Sequence, residues 1–194
     1  MNIRTAFVAA PLLIFAYGVI RIVDGFDGER GPGPAWTTGH LAFMAALVLF
    51  VPIFWELRRR LDRNALATTA VAVGVAGIAC AFAQFAVDIA VGFTAADHAA
   101  MGPLFDQVKA VPGVSLAVYD AGPFLFYVAQ FVLVTQLAVR RQARAWTPVL
   151  VFLDFTLPLI DRDLIPAGAL LLLVSFVQLS RRGAATPRHA LAHA

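Results

Sequence analysis

Dense arginine clusters recur between long apolar stretches, always after an even number of stretches from the first, and this alternation constrains the fold more than any other feature of the chain. Arg4, the group Arg58, Arg59, Arg60 and Arg63, the group Arg140, Arg141 and Arg144, and Arg181, Arg182 and Arg188 punctuate the sequence. Membrane loops with such an excess of basic residues stay in the cytoplasm. The intervening polar segments carry Asp24, Asp27, Glu29, Asp97, Asp106, Asp161 and Asp163, which places an acidic face on the opposite, outer side. Composition agrees, since 60% of the residues are hydrophobic and only 14% are charged. A water-soluble domain cannot hide that much apolar surface, so the lipid bilayer is expected to be part of the solvent. The formal charge of +3 follows loop boundaries with no interleaved aromatic pattern. It therefore reads as a topology signal and as contacts to anionic headgroups, with no nucleic-acid partner.

The apolar stretches divide into six expected spans, each needing about 20 residues to cross ~30 Å of hydrocarbon. Span one runs from Thr5 to Val23; no small-x-small cleavage pattern follows its apolar run, where Arg21, Ile22, Val23 and Asp24 stand instead, so it reads as a retained helix and not a signal peptide. Span two, Thr38 to Trp55, is bounded by Gly31-Pro32-Gly33-Pro34 and by the Arg58 cluster. Span three, Ala67 to Thr94, carries small residues four apart at Ala70/Gly74 and Gly77/Ala81. Such pairs let backbones approach closely and suit either internal packing or a helix–helix oligomer. Span four covers Ser115 to Val139. The segment from Trp146 to Leu179 is too long for one span, and Asp161-Arg162-Asp163 between Pro158 and Pro166 predicts two short helices joined by an outer turn. The expectation is an all-α, six-helix integral membrane bundle over residues 1–182 with both termini cytoplasmic, followed by a disordered tail over 183–194 containing His189 and His193. A short interfacial helix is expected from Pro103 to Val111, through Leu104, Phe105 and Val108.

Three carboxylates, Asp88, Asp120 and Asp154, fall inside or at the edge of spans. A charged group facing lipid at mid-helix costs roughly 2.5 kcal/mol or more, so such groups turn inward and find partners. Helical phase aligns Tyr17, Arg21 and Asp24 on span one, Cys80, Gln84 and Asp88 on span three, and Asp120, Tyr127 and Gln130 on span four. His40 lies at the outer end of span two. These positions converge on an outward-opening polar pocket. Its expected catalytic members are Asp154 or Asp88 as general acid, with Asp120, Tyr127 or His40 as proton acceptor or orienter. Tyr17, Arg21, Gln84, Phe124 and Phe155 are its expected substrate-binding wall. Carboxyl groups crowded together in a low dielectric cannot all ionise, which suits acid–base chemistry on a lipophilic molecule. Nearby aromatic rings can shelter a carbocation by cation–π attraction.

In size, all-helical build and intramembrane carboxylates the chain resembles membrane-bound terpene cyclases of meroterpenoid and indole-terpenoid pathways. That resemblance implies Brønsted-acid cyclase- or isomerase-like chemistry on an isoprenoid-type substrate. The chain departs from the pattern, which has about seven spans and a glutamate in a Trp-Glu setting, because here Trp55-Glu56 abuts Arg58 at the cytoplasmic edge. The run Asp24-Gly-Phe-Asp-Gly-Glu-Arg-Gly-Pro-Gly followed by Trp36-Thr-Thr-Gly-His is similar to small polytopic proteins of high-GC bacteria.

No nucleotide-binding loop, Ser-His-Asp spacing, Cys-x-x-Cys or haem-attachment motif is present, and Cys80 is the one cysteine, so no cofactor and no metal are expected. Two readings stand beside the enzyme. A proton- or cation-coupled transporter would use the same carboxylates as a relay. An accessory subunit of a membrane complex would use the small-residue face of span three.

Overall fold

The computed structural model describes residues 2–26 and 28–182; Asp27 and the tail 183–194, with Arg188, His189 and His193, lie outside the described residues. Among the described residues the chain forms seven α-helices: α1 (Ile3–Asp24), α2 (Pro34–Arg60), α3 (Ala65–Thr94), α4 (His98–Lys109), α5 (Gly122–Val139), α6 (Trp146–Ile160) and α7 (Ile165–Arg182). A π-helical turn, Ser115–Asp120, runs into α5, and a 3-10 turn, Arg162–Leu164, joins α6 to α7.

Five segments are long and apolar enough to cross a membrane: α1, α2, α3, the π turn with α5, and the 3-10 turn with α7. The sixth, α6, has only 15 residues, about 22 Å at ~1.5 Å per residue. It ends where Asp161 accepts from the Asp163 amide at 2.8 Å and starts the 3-10 turn, so the last apolar region does form two helices joined by the expected turn. Lipid-type surface covers the outside of the bundle, where Leu12, Val48, Trp55, Leu66, Phe93, Val128, Phe152 and Val174 are exposed.

Packing closes the six long elements into a ring in the order α1, α2, α3, α5, α6, α7, with α7 returning to α1. Small residues on α3 make this possible. A Cβ at Gly74 would meet the Phe54 ring and Ala129, and one at Gly77 would fall on the Phe126 backbone nitrogen. The small-residue face is thus filled within the chain by α2 and α5.

One half of the ring is solid. Phe7, Phe50, Phe54, Phe126, Phe176, Leu133, Leu137 and Leu172 are fully buried there, with Phe50 edge-on to Phe126 at 4.7 Å and Phe7 edge-on to Phe176 at 5.4 Å. The arginines at this end also finish helices. Arg60 donates from Nη1 to the Leu179 carbonyl at 2.8 Å, which supplies one of the carbonyl partners that a helix C-terminus lacks. Arg140 pairs with Asp62 at 2.8 Å and ties α5 to the α2–α3 turn. That turn places Asp62 and Arg63 at φ of 55° and 53° before Asn64 caps α3 by accepting from the Ala67 amide at 2.8 Å. The opposite half, called the outer end below, opens.

Two local expectations change. The short amphipathic helix α4 begins at His98 and not at Pro103, because Asp97 accepts from the Ala100 amide at 2.8 Å and caps the chain earlier; Pro103 is tolerated inside it. The other change is in phase. The Ala121 amide reaches the Leu116 carbonyl at 2.8 Å, a five-residue span that widens the helix by one residue. Asp120 is thereby rotated off the face it would share with Tyr127 and Gln130 in an unbroken α-helix.

Candidate functional site

The outer end of the ring encloses a cavity of about 1020 Å³. Its floor is Phe126, which caps the solid half. Its walls come from α1, α2, α3, α5, α6 and the turn before α7, and α4 contributes Met101, Gly102 and Phe105 at the rim. Tyr17, Arg21, His40, Gln84, Asp88, Phe124, Tyr127 and Phe155 all line it, so eight of the ten expected site residues meet in one space. Asp120 and Asp154 are absent from the lining. Asp120 is exposed, with the Ser115 hydroxyl donating to it at 2.9 Å, and Asp154 is 5% exposed on α6.

The chemical centre is the pair of His40 and Asp88. Their facing atoms, Nε2 and Oδ2, are 3.5 Å apart, and the side chains are only 7% and 13% exposed. His40 Nδ1 lies 2.7 Å from the Trp36 carbonyl. A carbonyl oxygen only accepts, so the ring hydrogen is on Nδ1 and Nε2 is the nitrogen left to face the carboxyl. The Trp36 indole in turn donates to the Asp88 carbonyl at 2.9 Å, which locks α2 to α3 at this level. Gly92 on α3 makes room for the indole, since a Cβ there would sit 2.8 Å from the ring. Aromatic rings enclose the imidazole: Trp36 at 4.2 Å, Phe85 at 5.1 Å and Tyr17 at 5.7 Å between centroids.

A second polar group lies deeper. Tyr127 closes the cavity on the α5 side, stacking against Phe155 at 5.1 Å, and Asp154 lies within electrostatic reach behind it. Gln130, one turn further along α5, is 1% exposed and approaches Asp154 without either of its amide atoms closing a hydrogen bond. Gly168 on α7 presses against Asp154, where a Cβ would come within 3.2 Å of Oδ1. Asp154 is therefore walled in by α5 and α7.

An ion network crosses the mouth. Asp163 pairs with Arg21, and Arg30 grips both of its carboxylate oxygens from Nη2 at 2.9 Å. Arg30 also donates from Nε to the Arg21 carbonyl at 3.3 Å, and its own carbonyl lies 2.6 Å from His98 Nδ1 on α4. One arginine thus joins α1, the 3-10 turn and α4.

Sequence reasoning passed over Trp36, Tyr119 and Arg30. The first two announce themselves only through geometry, one by its bond across to α3 and the other by the π turn that points it inward. Arg30 was hidden in a segment read only as an acidic loop. Among the described residues no three His, Cys, Asp or Glu side chains gather as a metal-ligand set.

The fold and site define a class: among the described residues, an all-helical, multi-pass membrane bundle with a cavity at one end walled by aromatic and charged side chains. Comparison with protein-family models, curated proteins and solved structures finds no match to this chain.

Proposed function

We propose that this protein binds a lipophilic, unsaturated molecule at the outer face of a bacterial cell membrane and carries out acid–base chemistry on it through His40 and Asp88. In this reading the chain crosses the membrane six times, α6 included, with the segments before α1 and after α7 cytoplasmic. The observation that carries it is the buried imidazole–carboxyl contact at 3.5 Å in a cavity whose walls beside the pair include Tyr17, Trp36, Phe43, Phe85 and Phe126. A pair that holds one proton between two bases can give it up at one carbon and recover it from the next. The proton forms a C–H bond with the electron pair of an alkene, and the aromatic walls stabilise the cation. Loss of a proton from an adjacent carbon restores a double bond, returns the proton to the pair and leaves an isomer, cyclic or linear. No other reactant is needed. The test is deuterium incorporation: reconstituted protein in heavy water, given a panel of unsaturated lipophiles, should place deuterium on carbon, read by mass spectrometry. Binding without incorporation across the panel refutes the acid–base reading.

A specific observation favours a second reading, a proton-coupled carrier. Buried polar side chains recur beyond the cavity: Asp154 lies beside Gln130, and Gln136 and Gln178 also carry buried amide nitrogens, Gln178 accepting from Thr147 at 2.8 Å. Proton flux into liposomes, lost on Asp154→Asn, would select it over the enzyme.

A further inference from the structure

Tyr119 belongs to neither reading as it stands, yet the fold goes to some length to aim it. It sits in the π turn Ser115–Asp120, a geometry that is rare and clusters at functional sites. The turn closes only because residue 122 is glycine: a Cβ there would collide with the Ala117 carbonyl and press on Cys80. The widened turn sends Asp120 to the surface and Tyr119 into the cavity. From α4, Phe105 packs edge-on against the Tyr119 ring at 6.5 Å and the Lys109 ammonium lies over it at 5.2 Å. Its hydroxyl is sealed from solvent and lies beside the Asp88 carboxyl, close enough to interact with it yet short of a well-formed hydrogen bond. A buried phenol without a well-formed bond costs roughly 1–3 kcal/mol, and a ligand oxygen that bonds both the phenol and Asp88 from the cavity they line removes that cost.

Resting on the pocket reading above, we infer that Tyr119 and Asp88 together recognise a hydroxyl group on the lipophilic ligand. A hydroxyl accepts from the Tyr119 phenol and donates to Asp88, so it satisfies both groups at once. A carbonyl or ether oxygen satisfies only Tyr119. A carboxylate or phosphate is repelled by Asp88, and an ammonium head meets Lys109 on the far side of the Tyr119 ring and Arg21 and Arg162 in the lining. The ligand class is a neutral alcohol with an apolar body.

The experiment uses farnesol, its methyl ether and the parent hydrocarbon as probes for the full chain in nanodiscs. Trp36, in the cavity wall, reports binding by fluorescence quenching in a Trp55→Phe, Trp146→Phe background. Farnesol should bind about tenfold more tightly than the ether, the size of one well-made hydrogen bond. Tyr119→Phe keeps the ring packing against Phe105 and should bring the alcohol down to the level of the ether, leaving the hydrocarbon unchanged. Equal binding of all three probes, or alcohol binding that Tyr119→Phe leaves at the wild-type level, overturns the inference while the pocket stands. If no probe quenches Trp36, the pocket reading falls and takes this inference with it.

Discussion

His40 presents Nε2 to Asp88 because its other ring nitrogen is held by the carbonyl of Trp36, one helical turn back on the same helix. The same tryptophan bonds the Asp88 backbone, so one residue sets both the tautomer of the imidazole and the position of the carboxyl. Orientation of this kind is what a proton-transfer pair needs before any substrate arrives.

Asp88→Asn keeps this framework, because the amide can still donate to Nε2. Deuterium incorporation should fall at least ~100-fold, the usual contribution of a positioned acid–base group, with the thermal midpoint unchanged. Asp154→Asn, walled off behind Tyr127, should stay within about threefold of the wild type in the same assay, a difference too small for a lost acid–base group. The reverse order of effects would move the chemistry to Asp154.

Gly77 sets the distance between α3 and α5. Gly77→Ala puts a methyl group on the Phe126 backbone, and overpacking of this kind costs about 1–3 kcal/mol. Gly33→Ala, where nothing lies within 4 Å, is the matched control. Reversible unfolding in mixed micelles should destabilise the first and spare the second.

Arg30 holds the cavity mouth through two elements at once. Arg30→Ala should speed hydrogen exchange at the amides from Glu29 to Gly33, measured by mass spectrometry, while global stability changes by no more than about 1 kcal/mol. The small energy follows from exposure: the Arg30 and Asp163 side chains are 35% and 42% accessible, and water screens them. Arg30→Lys should not restore protection, since one ammonium cannot hold Asp163 and the Arg21 carbonyl as Nη2 and Nε of the guanidinium do together.

Gln130 is buried beside Asp154 with neither amide atom in a well-formed hydrogen bond. Gln130→Leu should therefore raise resistance to unfolding by roughly 1 kcal/mol. In the carrier reading it should also stop proton flux, so the two measurements made together separate a packing defect from a working group.

Much of the architecture was legible in the linear chain. The arginine clusters and the Gly31 to Pro34 run marked the helix ends, the Asp161 turn split the last apolar region, and the small residues of α3 announced a central packing helix. These signals are local, because bilayer thickness and charge asymmetry act on each stretch independently. Eight of the ten expected site residues also lined the cavity, since helical phase carries a face reliably along an unbroken helix. Asp120 failed where the phase itself failed. A single five-residue hydrogen bond at Ala121 exchanged it for Tyr119, and no propensity of Ser115 to Asp120 advertises that exchange.

What the sequence determined by itself is the apolar, helical build of this protein and where most of its helices begin and end, because both depend on sums over many residues. Which carboxyl meets the imidazole, which lies sealed behind a tyrosine and which faces water was decided only when the ring of helices closed. Those outcomes depend on rotations of a fraction of a turn, and only contacts between distant segments, such as Trp36 with Asp88 and Gly168 with Asp154, hold such rotations in place.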